Sequence, residues 1–281
     1  MPRLVVHSRE SAPTCLQSPA VDIHAYLRRI ELSARPEPTL DGLSDLGLAH
    51  LCSVPFENLD IAAGRPLSLD LEAIYDKLVV RRRGGFCYEL NGLYSWLLRE
   101  LGFEVTLLAG QLVDPVTGEP GPERAHLVLL VELDGPQLVD VGWGEAYRRP
   151  FALRVGNEHV DPGIASYRLD QEKGEWQIVE RHDASLETNL KPTPGWRIAY
   201  RFDLEPHELA DFEETCRWQE TESPFFTGHR FCTIATRDGR RTLMDDRLIV
   251  RSSGERTERR VEDEEWPVLL DELFGVRDAP T

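Results

Sequence analysis

Residues 84–102 limit the architecture of this chain more than any other stretch. Leu90, Leu93, Tyr94, Leu97 and Leu98 recur at the spacing of one face of an α-helix. Gly84-Gly85 precede this apolar stripe and Gly102 follows it. The glycine pair gives the chain an entry into the helix, and a glycine just past the last turn is a common stop. Beyond Gly102 the pattern changes from helix to strand. Phe103–Val113 reads as a strand, 115–123 as a Gly/Pro-rich loop, and His126–Leu133 and Gln137–Trp143 as hairpin arms around Asp134-Gly135-Pro136.

Cys87 falls in the first turn of that helix, after Arg81-Arg82-Arg83-Gly84-Gly85-Phe86. Unpaired backbone N–H groups and the positive end of the helix dipole favour an anion there. A thiolate is such an anion, so the expectation is a nucleophilic Cys87 that titrates below the ordinary thiol value of about 8.5. The competing reading is an inert core cysteine. The paired glycines, the arginine run and the helix start favour the nucleophile.

The remaining pattern divides the chain into four parts. Residues 1–19 are Ser/Pro-containing and aperiodic, as in a loose tail. Residues 20–102 are helical, with starts near Asp22, at Asp41 or Ser44, and near Asp70. Residues 103–200 form a sheet or barrel. Residues 201–281 combine a helix over His207–Arg217, strands over 230–236, 241–245 and 247–251, and a terminal helix over Glu262–Phe274. Glu255–Glu265 carries both signs of charge and reads as a solvated surface.

A net charge of −17 argues against nucleic-acid and anionic-membrane partners. Five cysteines without a CxxC spacing argue against zinc, a thioredoxin motif and a disulfide framework. No apolar run approaches the length of a membrane span, and the first residues lack the apolar core of a signal peptide. A reducing cytoplasm is the compartment expected for a catalytic thiol.

A cysteine nucleophile needs a base, and the base needs an orienting group. Of eight histidines, His126 stands out because it opens an apolar strand at the rim of a sheet. Asp140 lies among Leu138, Val139, Val141 and Trp143, where an acid calls for a partner, the alternative being a structural carboxylate that accepts backbone N–H bonds. If Asp140 is to orient His126, the two must lie on one face, which requires the right parity of the hairpin register. A two-residue Asp134-Gly135 turn puts them on opposite faces. A three-residue loop, Leu133-Asp134-Gly135, pairs Glu132 with Pro136 and sets Asp140 opposite Val128, diagonal to His126. We therefore expect that loop with Gly135 at positive φ, or a β-bulge of equal effect.

Cys87, His126 and Asp140, within R-G-G-F-C, H-L-V-L-L-V and V-D-V-G-W-G, resemble the arylamine N-acetyltransferases. Pro55-Phe56-Glu57-Asn58-Leu59-Asp60, Phe202-Asp203-Leu204-Glu205-Pro206 and Ser223-Pro224-Phe225 extend the resemblance over about residues 22–276. It implies an α+β fold: a helical bundle and a β-barrel with a core like papain-type cysteine proteases, and a C-terminal α/β lid. It also implies Cys87 as nucleophile, His126 as base and Asp140 as orienter. Trp143, Phe225 and Phe56 become candidate pocket walls, with ordinary core aromatics as the alternative. A Glu57–Arg83 ion pair supports the turn before Cys87, while Arg81 and Arg82 face solvent.

The implied reaction is a ping-pong transfer of acetyl from acetyl-CoA, a co-substrate, to an arylamine or hydrazine. No permanently bound cofactor, metal, nucleic acid or membrane is called for. The segment Glu214–Glu222 departs from the family pattern by being acidic where a polyanionic donor is expected. This leaves open an amide synthase of polyketide assembly, fed by a carrier protein. A thiol hydrolase and a binding protein with a degenerate site are further alternatives.

Overall fold

The computed structural model describes residues 21–114, 117–145, 147–161, 165–182, 195–277 and 279. The tail expected over 1–19, with Cys15, lies outside them. The helical part begins with α1 (Ile23–Arg29), whose start is capped by the Asp22 carboxylate accepting from His24 N–H at 2.9 Å. In α2 (Leu40–Ser53) the cap is Thr39, whose hydroxyl accepts from Gly42 N–H, rather than Asp41 or Ser44. The strand β1 (Phe56–Glu57) and the short α3 (Leu59–Ala62) follow. Asp70 caps α4 (Leu71–Tyr75), which runs directly into a wider π-helical turn over Asp76–Val80.

The helix read from the sequence is α5 (Cys87–Glu100). It stops at Leu101, and Gly102 takes a φ of 94°. Its five stripe residues are completely buried, in one core with α1, α2, α4 and the inner side of the neighbouring sheet.

That sheet has eight antiparallel strands and is barrel-like. They are β2 (Glu104–Leu112), β3 (His126–Leu133), β4 (Gly135–Val139), β5 (Phe151–Ala152), β6 (Glu158–Asp161), β7 (Ala165–Glu172), β8 (Glu175–His182) and β9 (Arg197–Phe202). Their order is β5-β4-β3-β2-β9-β8-β7-β6. The β3–β4 register pairs Glu132 with Pro136 and Leu129 with Val139. One further step sets Asp140 opposite Val128. Gly135 has a φ of 117°, a backbone state that favours glycine. The ladder closes one pair tighter than expected, at Leu133–Gly135, without changing the parity.

The C-terminal part departs from the sequence reading at several points. The helix expected over His207–Arg217 begins as a 3-10 turn over Leu209–Phe212 and becomes α-helical only in α6 (Glu213–Thr221), while the His207 backbone N–H bonds to Leu107 O on β2. A short α7 (Pro224–Gly228) follows. The second sheet then runs β1-β10-β11-β12-β13, with β10 (Phe231–Thr236), β11 (Gly239–Met244), β12 (Arg247–Ser252) and β13 (Glu255–Arg260). Its first strand, β1, belongs to the helical part, so the two parts share a sheet. The charged stretch after Gly254 is an exposed edge strand, and exposed charge on such an edge disfavours pairing with another chain. The closing helix, α8 (Trp266–Phe274), ends at Gly275 with a φ of 68°. Among the described residues no helix is long and apolar enough to cross a membrane.

Candidate active site

Cys87 is the first residue of α5 and is 4% exposed. The turn before it is held by backbone pairing with the 55–57 segment. Gly85 N–H donates to Pro55 O at 3.1 Å, and Glu57 N–H donates to Gly85 O at 3.0 Å. Gly84 is required by this close approach: a Cβ there would lie 2.4 Å from Pro55 O and 2.6 Å from Glu57 Cγ. The helix start is capped from within, Glu89 Oε2 accepting from Phe86 N–H at 2.8 Å.

His126 opens β3 and is 2% exposed. Its Nε2 lies 2.7 Å from Asp140 Oδ2. Asp140 is buried and fully engaged. Oδ2 also accepts from Tyr200 Oη at 3.1 Å. Oδ1 accepts from Asn91 Nδ2 at 2.9 Å and from the backbone N–H groups of Gly142 and Trp143 at 2.9 and 3.0 Å. These donors hold the carboxylate in one orientation toward the imidazole.

Asn91, one turn along α5 from Cys87, joins the nucleophile's helix to both hairpin arms. Its Nδ2 donates to Leu127 O at 2.6 Å, and its Oδ1 accepts from Val141 N–H at 3.0 Å. The turn after Asp140 packs directly on Cys87. A Cβ at Gly142 would lie 2.8 Å from Cys87 O and 2.9 Å from Cys87 Cα.

The expectation of a low Cys87 thiol is not met in this geometry. Burial pushes the thiol well above its ordinary value, and the nearby Cys216, Asp140 and Glu89 add to the effect. The Tyr88 N–H of the first helical turn acts the other way without prevailing. Among the described residues no hydrogen bond joins the Cys87 sulfur to His126. The field of a helix N-terminus is local, whereas desolvation comes from the whole core.

The aromatic residues separate into two groups. Trp143 packs edge-on against the His126 ring, with centroids 5.4 Å apart, and its Nε1 donates to Glu180 Oε2 at 3.4 Å. Phe56 stacks on Phe86, the residue before Cys87, at 5.5 Å. Phe225, by contrast, is 37% exposed and makes its ring contacts with Phe226, His229 and Phe231. Its neighbour Phe226 is the residue that meets Phe86, edge-on at 4.6 Å. The seat of α7 turns the second phenylalanine inward, which no local pattern specifies.

Beneath the Cys87 turn, Arg83 meets Glu57 through Nη2 at 2.7 Å and Nε at 3.1 Å, and both side chains are buried. Arg83 also reaches Asp60 at 3.3 Å. Lys77 completes the cluster, 2.7 Å from Asp60 and 2.8 Å from Glu89. Arg81 pairs instead with Asp76 in a half-exposed contact. Lys77, Asp60, Asn91, Tyr200 and Phe226 are the residues that sequence reasoning passed over. Asn91 had a signal: a polar residue next to Leu90 on an apolar helix asks for buried partners.

The acidic segment on α6 is tied to the approach to His126. Thr215 Oγ1 donates to Glu123 O at 3.1 Å, Gln219 Nε2 to Ala125 O at 2.5 Å, and Glu220 accepts from Leu67 N–H at 2.8 Å. Among the described residues no cluster of His, Cys, Asp and Glu is arranged to hold a metal ion.

A buried Asp–His pair braced by an asparagine on the helix of a buried cysteine suits acyl transfer through sulfur. The profile of an N-acetyltransferase family matches residues 39–278. The arylamine N-acetyltransferase of Mycolicibacterium smegmatis is 37% identical over 243 residues, 84% of each chain. Human arylamine N-acetyltransferase 1 is 35% identical over 231 residues, 78% of this chain and 79% of the human one. The solved arylamine N-acetyltransferase of Salmonella typhimurium superposes with a TM-score of 0.82 at 32% identity, over 91% of both chains. That of Mycobacterium marinum in complex with CoA gives 0.81 at 32% identity, over 92% of this chain and 95% of the other. The chain belongs to the arylamine N-acetyltransferase family.

Proposed function

We propose that this enzyme moves an acetyl group from acetyl-CoA to an arylamine or arylhydrazine nitrogen in two half-reactions, with Cys87 as the carrier. His126 takes the Cys87 proton as the sulfur attacks the thioester carbonyl. The C–S bond to CoA breaks, and CoA leaves as a thiol with that proton. The amine then attacks acetyl-Cys87, loses a proton through His126, and departs as the amide while the Cys87 thiol is restored. Asp140 keeps Nε2 of His126 engaged, so Nδ1 is the nitrogen that serves the sulfur. A base is needed because burial stabilises the neutral thiol. Trp143 and Phe56, with Phe226 in place of Phe225, are the aromatic surfaces we assign to the acceptor.

The observation that carries this reading is the contact of the 140–143 turn with the Cys87 backbone, which brings Asp140 and its histidine to the start of α5. A reducing cytoplasm is the setting we assign, since the reaction needs a free thiol. The test is incubation with acetyl-CoA, followed by intact mass and peptide mapping. One acetyl group on Cys87 is expected, absent in Cys87→Ser, with transfer to an added arylamine. An acetyl on Cys52, Cys216 or Cys232 would overturn the assignment. CoA release that is fast without amine and unaffected by it would point to the hydrolase. Acylation from an acyl carrier protein but not from acetyl-CoA would point to the amide synthase.

A further inference from the structure

The cluster under the start of α5 contains a lysine that the two half-reactions do not use. Lys77 is 5% exposed, and its Nζ lies 2.9 and 2.8 Å from the two oxygens of Glu89. Glu89 is 2% exposed and accepts from Phe86 N–H immediately before Cys87. Lysine and glutamate are seldom so buried unless paired. Lys77 also sits in the wide turn over 76–80, and π-type turns are frequent at functional sites. Its carbonyl accepts from Arg83 N–H at 2.9 Å. One residue thus grips the Cys87 turn from both sides, by backbone at Arg83 and by side chain at Glu89.

The charges define what it does there. Glu57, Asp60 and Glu89 are opposed by Lys77 and Arg83, which leaves one net negative charge beneath the turn. Cys216 of α6, Tyr88 of α5 and Asp140 of the hairpin are the other titratable groups that act on the sulfur, with Glu220 on Cys216 and His126 on Asp140 behind them. A carboxylate near a thiol disfavours the thiolate, and Glu89 stands two residues from Cys87 on the same helix. Burial alone would lower the Lys77 ammonium, yet Glu89, Glu57 and Asp60 together hold it above its usual range, so the lysine stays charged.

We propose that Lys77 is a positioning residue for the acetyl-carrying sulfur: it fixes the Glu89 carboxylate that caps the Cys87 helix and cancels that carboxylate's charge beside the sulfur. This rests on the reading of Cys87 as the acetyl carrier. The test compares wild type, Lys77→Met, Glu89→Gln and the double variant. Glutamine keeps an oxygen for Phe86 N–H while removing the charge. Cys87 alkylation by iodoacetamide is followed against pH, single-turnover acetylation by intact mass, and folding by thermal melts.

In Lys77→Met the alkylation inflection rises by about one pH unit or more, and acetylation at pH 7 falls about tenfold. In Glu89→Gln the inflection moves down, and the double variant lies between the two. A purely structural ion pair would change melting temperature and leave the profiles of folded protein alone; that result overturns the proposal. If Lys77→Met does not fold, Glu89→Gln decides, an unshifted inflection being the refuting result. Variants that show these shifts, beside a wild type that takes no acetyl from acetyl-CoA, would refute the transferase reading and leave the role of Lys77 standing.

Discussion

Replacing Gly142 with alanine tests the contact on which the site depends. The added Cβ would stand 2.6 Å from Asn91 Nδ2, 2.8 Å from Cys87 O and 2.9 Å from Cys87 Cα. Two of these atoms are backbone at the first residue of α5, so no side chain can simply swing aside. The 140–143 turn and the helix start must separate by roughly 0.5 Å or more to reach ordinary contact distance, and overpacking of this kind costs about 1–3 kcal/mol. In a chain of this size that is a fall of roughly 2–10 °C in melting temperature. The effect on rate should exceed the effect on stability, because the separation is between the sulfur and the His126–Asp140 pair. A displacement near 1 Å in a reacting constellation costs on the order of 100-fold. Single-turnover acetylation by intact mass, alongside calorimetry, reads both quantities. Gly47→Ala is the internal control. It lies inside α2, its Cβ would meet only Tyr94 Oη at 3.7 Å, and the substitution should stabilise by about 0.5–1 kcal/mol with an unchanged rate. A Gly142→Ala enzyme that acetylates within twofold of wild type would refute the contact as described.

Asn91→Ala should destabilise by about 2–5 kcal/mol in urea titrations, since it leaves Leu127 O and Val141 N–H buried without their partner; a loss below about 0.5 kcal/mol would contradict that. Arg83→Ala strands the buried Glu57 carboxylate and should cost about 3–5 kcal/mol, whereas Arg81→Ala, in a half-exposed pair, should stay within about 0.5 kcal/mol. Equal melting temperatures for these two variants would remove the argument. His50 is completely buried between Tyr26 and Tyr94, and burial, with Arg29 adding, pushes its imidazole down to about 3. The unfolded chain takes that proton near pH 6.5, so stability is full above this value. It is lost by roughly 1 kcal/mol per pH unit as pH falls toward 3. Urea midpoints from pH 7.5 to 4.5 should show this slope reduced in His50→Phe; parallel curves for the two proteins would exclude His50 as its source.

Several elements were decided by the order of residues alone. The stripe from Leu90 to Leu98 makes α5 because its period matches the helix, and Gly102 ends it because glycine takes a left-handed φ without strain. The β3–β4 register followed from side-chain alternation, with Gly135 supplying the positive φ. Other features arise only when distant segments meet. The Phe56–Glu57 strand exists because β10 offers it a ladder, and Phe226 rather than Phe225 reaches Phe86 because of how α7 is seated. Lys77, Asp60 and Glu89 look like ordinary surface charges in the sequence, and become one cluster once the π turn carries Lys77 under the glycines. The Cys87 thiol shows the difference most directly. Its place at a helix N-terminus is local and legible, and favours the anion. Its titration is governed by desolvation, which depends on every atom packed around the sulfur and so is set by the tertiary structure.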